Sequence, residues 1–235
     1  MEKRTKRKFK IKRFLISILI IALLIIFIDY ILNIKTKNIV ILNNNYYSDE
    51  EIIEQAALEN YPKFVTVSKS NIKKKLKQLD LIEDVKIYKK FGFILKLDIK
   101  EKKILYLVRS SGEYKLSDKT SFTSKEKYVV PTLINFVPKD VEEKFISELS
   151  KLDINTINLI SEIEYNKTEY DNERFLLYMN DGNQIYINND KIHQLSKYQN
   201  IISKLGGKKG ILYLDTGNYF EIKEKWYVMY NAYLF

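Results

Sequence analysis

The chain has 235 residues, a formal net charge of +10, no cysteine and one histidine. Those counts exclude a disulfide framework, a thiolate metal centre, a cysteine nucleophile and any metal site built from several of its own histidines. Seven glycines and three prolines exclude a collagen-like or linker-like chain. Residues 1–13 carry eight basic groups against Glu2, while the 203 residues after position 32 carry only +4. A nucleic-acid binder sets its basic residues on a folded surface or recognition helix. Here they abut an apolar run, so no nucleic-acid partner is expected.

That run is free of charge from Phe14 to Ile28 and continues through Asp29 and Tyr30 to Leu32. Residues 14–32 would span roughly 28 Å as a helix, close to a hydrocarbon core of about 30 Å. Flanking Lys and Arg predict a basic cytoplasmic tail (1–13), a membrane helix (14–32) and the bulk of the chain outside the cytoplasm, with Tyr30 at the interface. A cleaved signal peptide would need a shorter apolar core and small residues at a cleavage site; IDYILNIKT lacks the A-x-A pattern.

The next unit spans residues 36–103. Asn38–Leu42 reads as a strand and Asn43-Asn44-Asn45 as a turn. Ser48 with Glu51 three residues on is a capping box. Its helix carries Ile52, Ile53, Ala56, Ala57 and Leu58 on the apolar side and ends at Tyr61-Pro62. A second helix starts near Ser68 or Ser70 with Ile72, Leu76 and Leu79 as its stripe. Lys73, Lys74, Lys75 and Lys77 lie mostly off that stripe, on a face that is solvated or meets anionic lipid or wall polymer. Val85, Ile87 and Phe91 lead to a turn at Gly92, and Leu95, Leu97 and Ile99 alternate along the return strand. The order is β-α-α-β-β.

A basic tail, one membrane helix and a βααββ unit outside resemble the bacterial cell-division proteins FtsQ and DivIB, whose first extracytoplasmic domain is a POTRA domain. The resemblance rests on IVILNNNYYSDEEII and on SNIKKKLKQLDLIEDVKIYKKFGFILKLDIKEKKILYLV. Asn44 stands at the family's usual turn glycine, and Ile82 or Glu83 at its usual proline.

The second unit spans 104–222, followed by an aromatic tail, 223–235. ILYLVRS, the Ser111-Gly112 turn and EYKLSDKTSF resemble the family's next hairpin, and Val129–Leu133 and Ile160–Ile163 its following steps. A helix is predicted over 139–151, with Val141, Phe145, Leu149 and Leu152 inward. Strands 175–179 and 184–188 flank the turn Asn180–Asn183. A helix over 190–205 points Ile192, Leu195, Ile202 and Leu205 inward, with Gly206-Gly207 as its cap. Residues 211–215 and 219–222 form a last strand pair. The fold class is α+β: a transmembrane helix, a POTRA domain, then a mixed β-domain with an antiparallel sheet and flanking helices.

Nothing in the sequence points to catalysis or to a cofactor, metal or small-molecule substrate: His193 reads as a structural or surface residue, and the carboxylates are scattered. The resemblance implies that the terminal edge strand pairs with a segment of a small bitopic coiled-coil protein, FtsB or DivIC, joined to FtsL, which would bias the septal peptidoglycan synthase. By position that strand is Tyr219, Phe220, Glu221 and Ile222. Trp226 and Tyr227 in the tail would extend the groove or pack on the sheet, since aromatics dominate interface hot spots. The expected protein is a non-enzymatic, single-pass scaffold of the division septum. The alternative is a membrane-tethered extracytoplasmic enzyme or wall-polymer-binding protein.

Overall fold

The structure is a computed structural model in which residues 11–223 are described. Helix α1 (Ile11–Asn33) has 23 residues, none of them buried, and is long and apolar enough to cross a membrane. The contacts divide the chain after Glu101 into two units.

In the first unit, β1 (Asn38–Leu42), α2 (Asp49–Ala56), α3 (Lys69–Leu76), β2 (Ile82–Lys90) and β3 (Ile94–Glu101) follow in the order βααββ. The sheet runs β1-β3-β2, with β1 parallel and β2 antiparallel to β3. The capping box is formed: Glu51 N donates to Ser48 Oγ (3.2 Å) and Ser48 N to Glu51 Oε2 (2.8 Å). Ile52, Ala56, Ile72 and Leu76 bury against Val85, Ile87, Leu95, Leu97 and Ile99, so the strand alternation and both helical stripes point to one core.

Three local expectations shift. Helix α2 ends at Ala56, well before Tyr61-Pro62: Ala57 turns left-handed (φ 54°), and the amides of Ala57 and Leu58 bond back to Glu54 and Ile53. The left-handed residue after β1 is Asn43 (φ 64°), while the Asn44 side chain donates to Tyr47 O and Asp49 Oδ1. Phe91 belongs to no strand. Gly92 (φ 83°) and Phe93 (φ 61°) reverse the chain there, leaving Phe91 fully exposed at the hairpin tip.

The lysine run on α3 is partly engaged. Lys73 and Lys77 lie 2.7 and 3.3 Å from Asp84 Oδ1. The hydrogen bond from Lys73 leads the effects that hold the Asp84 carboxyl down to about 2, against an opposing effect of burial. A depressed folded-state pKa adds stability above the unfolded value and loses it on acidification. Asp84→Asn should therefore lower the stability of the chain near neutrality, flatten its profile between about pH 4 and pH 2, and leave it unchanged below about pH 2, as read by urea unfolding across that range. The effect will be small, because the pair is more than a third exposed.

The second unit is one nine-stranded sheet, built from β4 (Ile104–Val108), β5 (Tyr114–Leu116), β6 (Ser121–Phe122), β7 (Thr132–Leu133), β8 (Ile160–Tyr165), β9 (Arg174–Met179), β10 (Gln184–Asn188), β11 (Gly210–Tyr213) and β12 (Tyr219–Ile222). Their spatial order is β12-β11-β10-β9-β8-β7-β4-β5-β6. The pairs β4/β7, β7/β8 and β10/β11 are parallel and the rest antiparallel. The last two of these parallel pairs follow helical crossovers: α4 (Lys139–Leu149) with α5 (Ile154–Ile157) before β8, and a 3-10 helix (Asn189–Lys197) with α6 (Tyr198–Lys204) before β11. Val141, Phe145 and Leu149 of α4 pack on Phe175, Leu177, Ile185 and Ile187, and Phe145 stacks on Phe175 at 4.2 Å.

The helix expected over 190–205 is thus two pieces. Its first half buries Ile192, Leu195 and Tyr198, a spacing of three that a 3-10 helix satisfies, whereas Ile202 and Leu205 are only half-buried. Gly206 and Gly207 (φ 61° and 78°) then close α6, as the sequence predicts.

Candidate partner-binding edge

Strand β12 pairs antiparallel with β11 in the register Gly210–Ile222, Ile211–Glu221, Leu212–Phe220 and Tyr213–Tyr219. It closes one edge of the nine-stranded sheet, and among the described residues no strand pairs with its outer side. Lys223 N donates to Lys209 O (3.0 Å). Bonded and non-bonded pairs alternate along an antiparallel ladder. Ile211–Glu221 and Tyr213–Tyr219 are therefore bonded pairs, and the N–H and C=O groups of Phe220 and Ile222 point away from β11.

The side chains alternate as the sequence predicts. Phe220 packs against the large core, and Ile222 on the same face is 47% exposed. Tyr219 and Glu221 take the other face, where Tyr219 stacks on Tyr213 at 4.5 Å and Tyr213 on Tyr186 at 5.3 Å. The Arg174 guanidinium lies 3.8 Å from the Tyr186 ring centroid. One group from each of β9, β10, β11 and β12 thus forms a ladder across the sheet. Arg174 anchors its inner end, with Nε 2.7 Å from Asp215 Oδ2 and Nη1 2.7 Å from Asn166 Oδ1. The Tyr213 hydroxyl donates to Glu221 Oε2 (3.0 Å); burial and then that carboxylate push its phenol up to about 12.

The turn read as Asn180–Asn183 does more than reverse the chain. Asn183 is buried. Its Oδ1 accepts from Gly210 N (2.9 Å), and its Nδ2 donates to Asp181 Oδ2 (2.9 Å) and the Tyr198 hydroxyl (3.1 Å). This side chain ties the β9–β10 turn to the start of β11. Neither this tie nor the ladder was singled out from the sequence, because both depend on the β10–β11 register across a helical crossover. One tyrosine in each of three successive strands, at 186, 213 and 219, is the available signal.

Trp226 and Tyr227 lie outside the described residues. His193 is exposed and its Nδ1 is 2.9 Å from Asp190 O. Among the described residues no group of three or more His, Cys, Asp or Glu side chains is placed to hold a metal ion.

Residues 34–102 match the family described as POTRA domain, FtsQ-type. The chain is 28% identical over 211 residues to "Cell division protein DivIB" of Brevibacillus brevis, covering 84% of this chain and 76% of that protein. It is 29% identical over 230 residues to the DivIB of Bacillus subtilis, covering 92% and 86%. The extracytoplasmic domain of DivIB from Geobacillus stearothermophilus aligns with 46% of this chain and 96% of that domain, at 22% identity and a TM-score of 0.38.

Proposed function

We propose that this chain, a cell division protein of the DivIB type with an FtsQ-type POTRA domain, is a bitopic scaffold of the division septum that acts by binding and not by chemistry. Its N-terminal tail lies in the cytoplasm and its two folded units outside. Strand β12 takes up a strand from a small bitopic coiled-coil partner of the FtsB or DivIC type, itself joined to an FtsL-type protein, and through them influences septal peptidoglycan synthesis. The observation that carries this reading is the geometry of β12, an edge strand whose Phe220 and Ile222 backbone groups face outward while Tyr219, Glu221 and Ile222 are exposed. Strand addition needs those free amides and carbonyls for affinity and alternate side chains for selectivity. An edge left open without a partner is an aggregation hazard. Trp226 and Tyr227 come four and five residues after β12 in the sequence, and we propose that they take part in the same binding.

The test is site-specific photo-cross-linking in cells, with a probe at Tyr219 and a control at Lys74 on α3. A Tyr219-dependent adduct to a small single-pass coiled-coil protein is expected. A folded, membrane-inserted protein that gives no adduct at Tyr219 would refute the edge site.

A further inference from the structure

We infer that the face of the first unit next to helix α1 is a membrane-seating surface that takes anionic lipid headgroups. The chain leaving α1 is fastened to that face within a few residues. Phe64 N donates to Ile34 O (2.9 Å), Thr36 N to Pro62 O (2.9 Å) and Lys37 N to Phe93 O (2.9 Å). Lys63 Nζ reaches Asn33 Oδ1 (2.6 Å) on the last residue of the helix. Twenty-three helical residues are about 34 Å long, so Asn33 comes out at the level of the headgroups. The 61–66 loop and the β2–β3 hairpin tip are bound to residues 34–37 and must sit at that level too.

Their chemistry suits that depth. Phe91 is fully exposed at the hairpin tip, and Tyr61 and Val65 are exposed on the loop. Residues 34–37, 61–66 and 88–93 contain Lys35, Lys37, Lys63, Lys89 and Lys90 and no Asp or Glu. Among the described residues none of these five forms an ion pair, in contrast to Lys73 and Lys77 on α3. Lys37 and Lys89 lie over the rings of Phe93 and Phe64, and those rings meet edge-on at 5.6 Å. Lys89 is half-buried and donates to Phe64 O (2.7 Å) and Val65 O (3.2 Å), so it braces the loop, while Lys35, Lys37, Lys63 and Lys90 are exposed. Exposed aromatics flanked by lysines without a carboxylate partner are the pattern that partitions into an anionic interface. The lysines assigned to the lipid are these, which sit beside the end of α1.

The inference rests on α1 spanning the membrane and is independent of the β12 edge. The chain has no cysteine, so single nitroxide labels at Ile21→Cys, Val65→Cys and Lys74→Cys are unique. The full chain is placed in vesicles of phosphatidylcholine with about a third phosphatidylglycerol, and each label is read by its accessibility to oxygen against a water-soluble nickel chelate. Position 21 should be lipid-like, 74 water-like, and 65 intermediate, at least threefold more protected from nickel than 74. Lys35→Glu with Lys90→Glu, or vesicles of phosphatidylcholine alone, should bring 65 down to the value at 74, at about fivefold in seated population per lysine. A water-like label at 65 beside a lipid-like label at 21 overturns the seating surface. Equal protection with and without phosphatidylglycerol overturns the headgroup assignment. A water-like label at 21 overturns the anchor itself.

Discussion

Replacing Gly210 with alanine should detach β12 from the sheet. A Cβ built on Gly210 would come within 2.0 Å of Glu221 O and 2.9 Å of Phe220 Cε1. The first of these atoms is backbone, so no rotamer change relieves the clash and the strand itself must move. Overpacking of this kind costs about 1–3 kcal/mol. Here the cost falls on one strand pair, because the loss of the β11–β12 ladder also ends the Tyr213–Tyr219 stack. Hydrogen exchange should show protection lost at residues 210–213 and 219–223 while β2 and β3 keep theirs. The Tyr219 cross-link should fall at least about tenfold, since binding by strand addition requires the preformed edge. Unchanged protection at 219–223 would mean that β12 can absorb the extra methyl.

The largest loss of stability is expected from Asn183→Leu. The leucine would leave the buried Gly210 amide without its acceptor, while the Tyr198 hydroxyl and the Asp181 carboxylate keep each other at 2.8 Å. The orphaned amide, at about 1–3 kcal/mol, and the fit of a larger apolar side chain into the same space, at about 1–3 kcal/mol, together make an expected loss of about 2–6 kcal/mol. Tyr198→Phe removes only part of the same network and should cost about 1 kcal/mol. Thermal denaturation of the two variants separates these effects. If Asn183→Leu costs no more than Tyr198→Phe, the tie between the hairpin turn and β11 carries no stability of its own.

Local signals in the sequence described the first unit well. Ser48 and Glu51 marked a helix start, and Leu95, Leu97 and Ile99 marked a strand with one buried face, because each signal is complete within a few residues. Boundaries were less legible. The end of α2 depended on Ala57 adopting a left-handed conformation, which alanine composition does not announce. The 3-10 segment was hidden because Ile192 and Leu195 fit both three- and four-residue spacing, and only the burial of Tyr198 decides between them. In the second unit, the strands were visible but their neighbours were not. Parallel partners such as β10 and β11 are separated by a crossover of more than 20 residues, so nothing local in either strand sets their register. The candidate edge could be placed by order along the chain. The ladder that stiffens it, with Arg174 at one end and Tyr219 at the other, becomes visible only when four strands lie side by side.

The short strand β7 gives the second unit a definite line of mechanical weakness. Thr132 and Leu133 are its only two ladder residues, and they join β4–β6 on one side to β8–β12 on the other. Four register positions link β11 to β12, three link β10 to β11, and five each link β9 to β10 and β8 to β9, so tension applied at β12 meets no seam as short as this one on its way. Arg109 of the segment after β4 and Glu162 of β8 form an ion pair that straddles the line. Beneath it Leu133 and Ile163 share the core with Leu105. A pull transmitted through a docked strand would open the unit at β7 first and leave β8–β12, with its ladder and its outer edge, moving as one block.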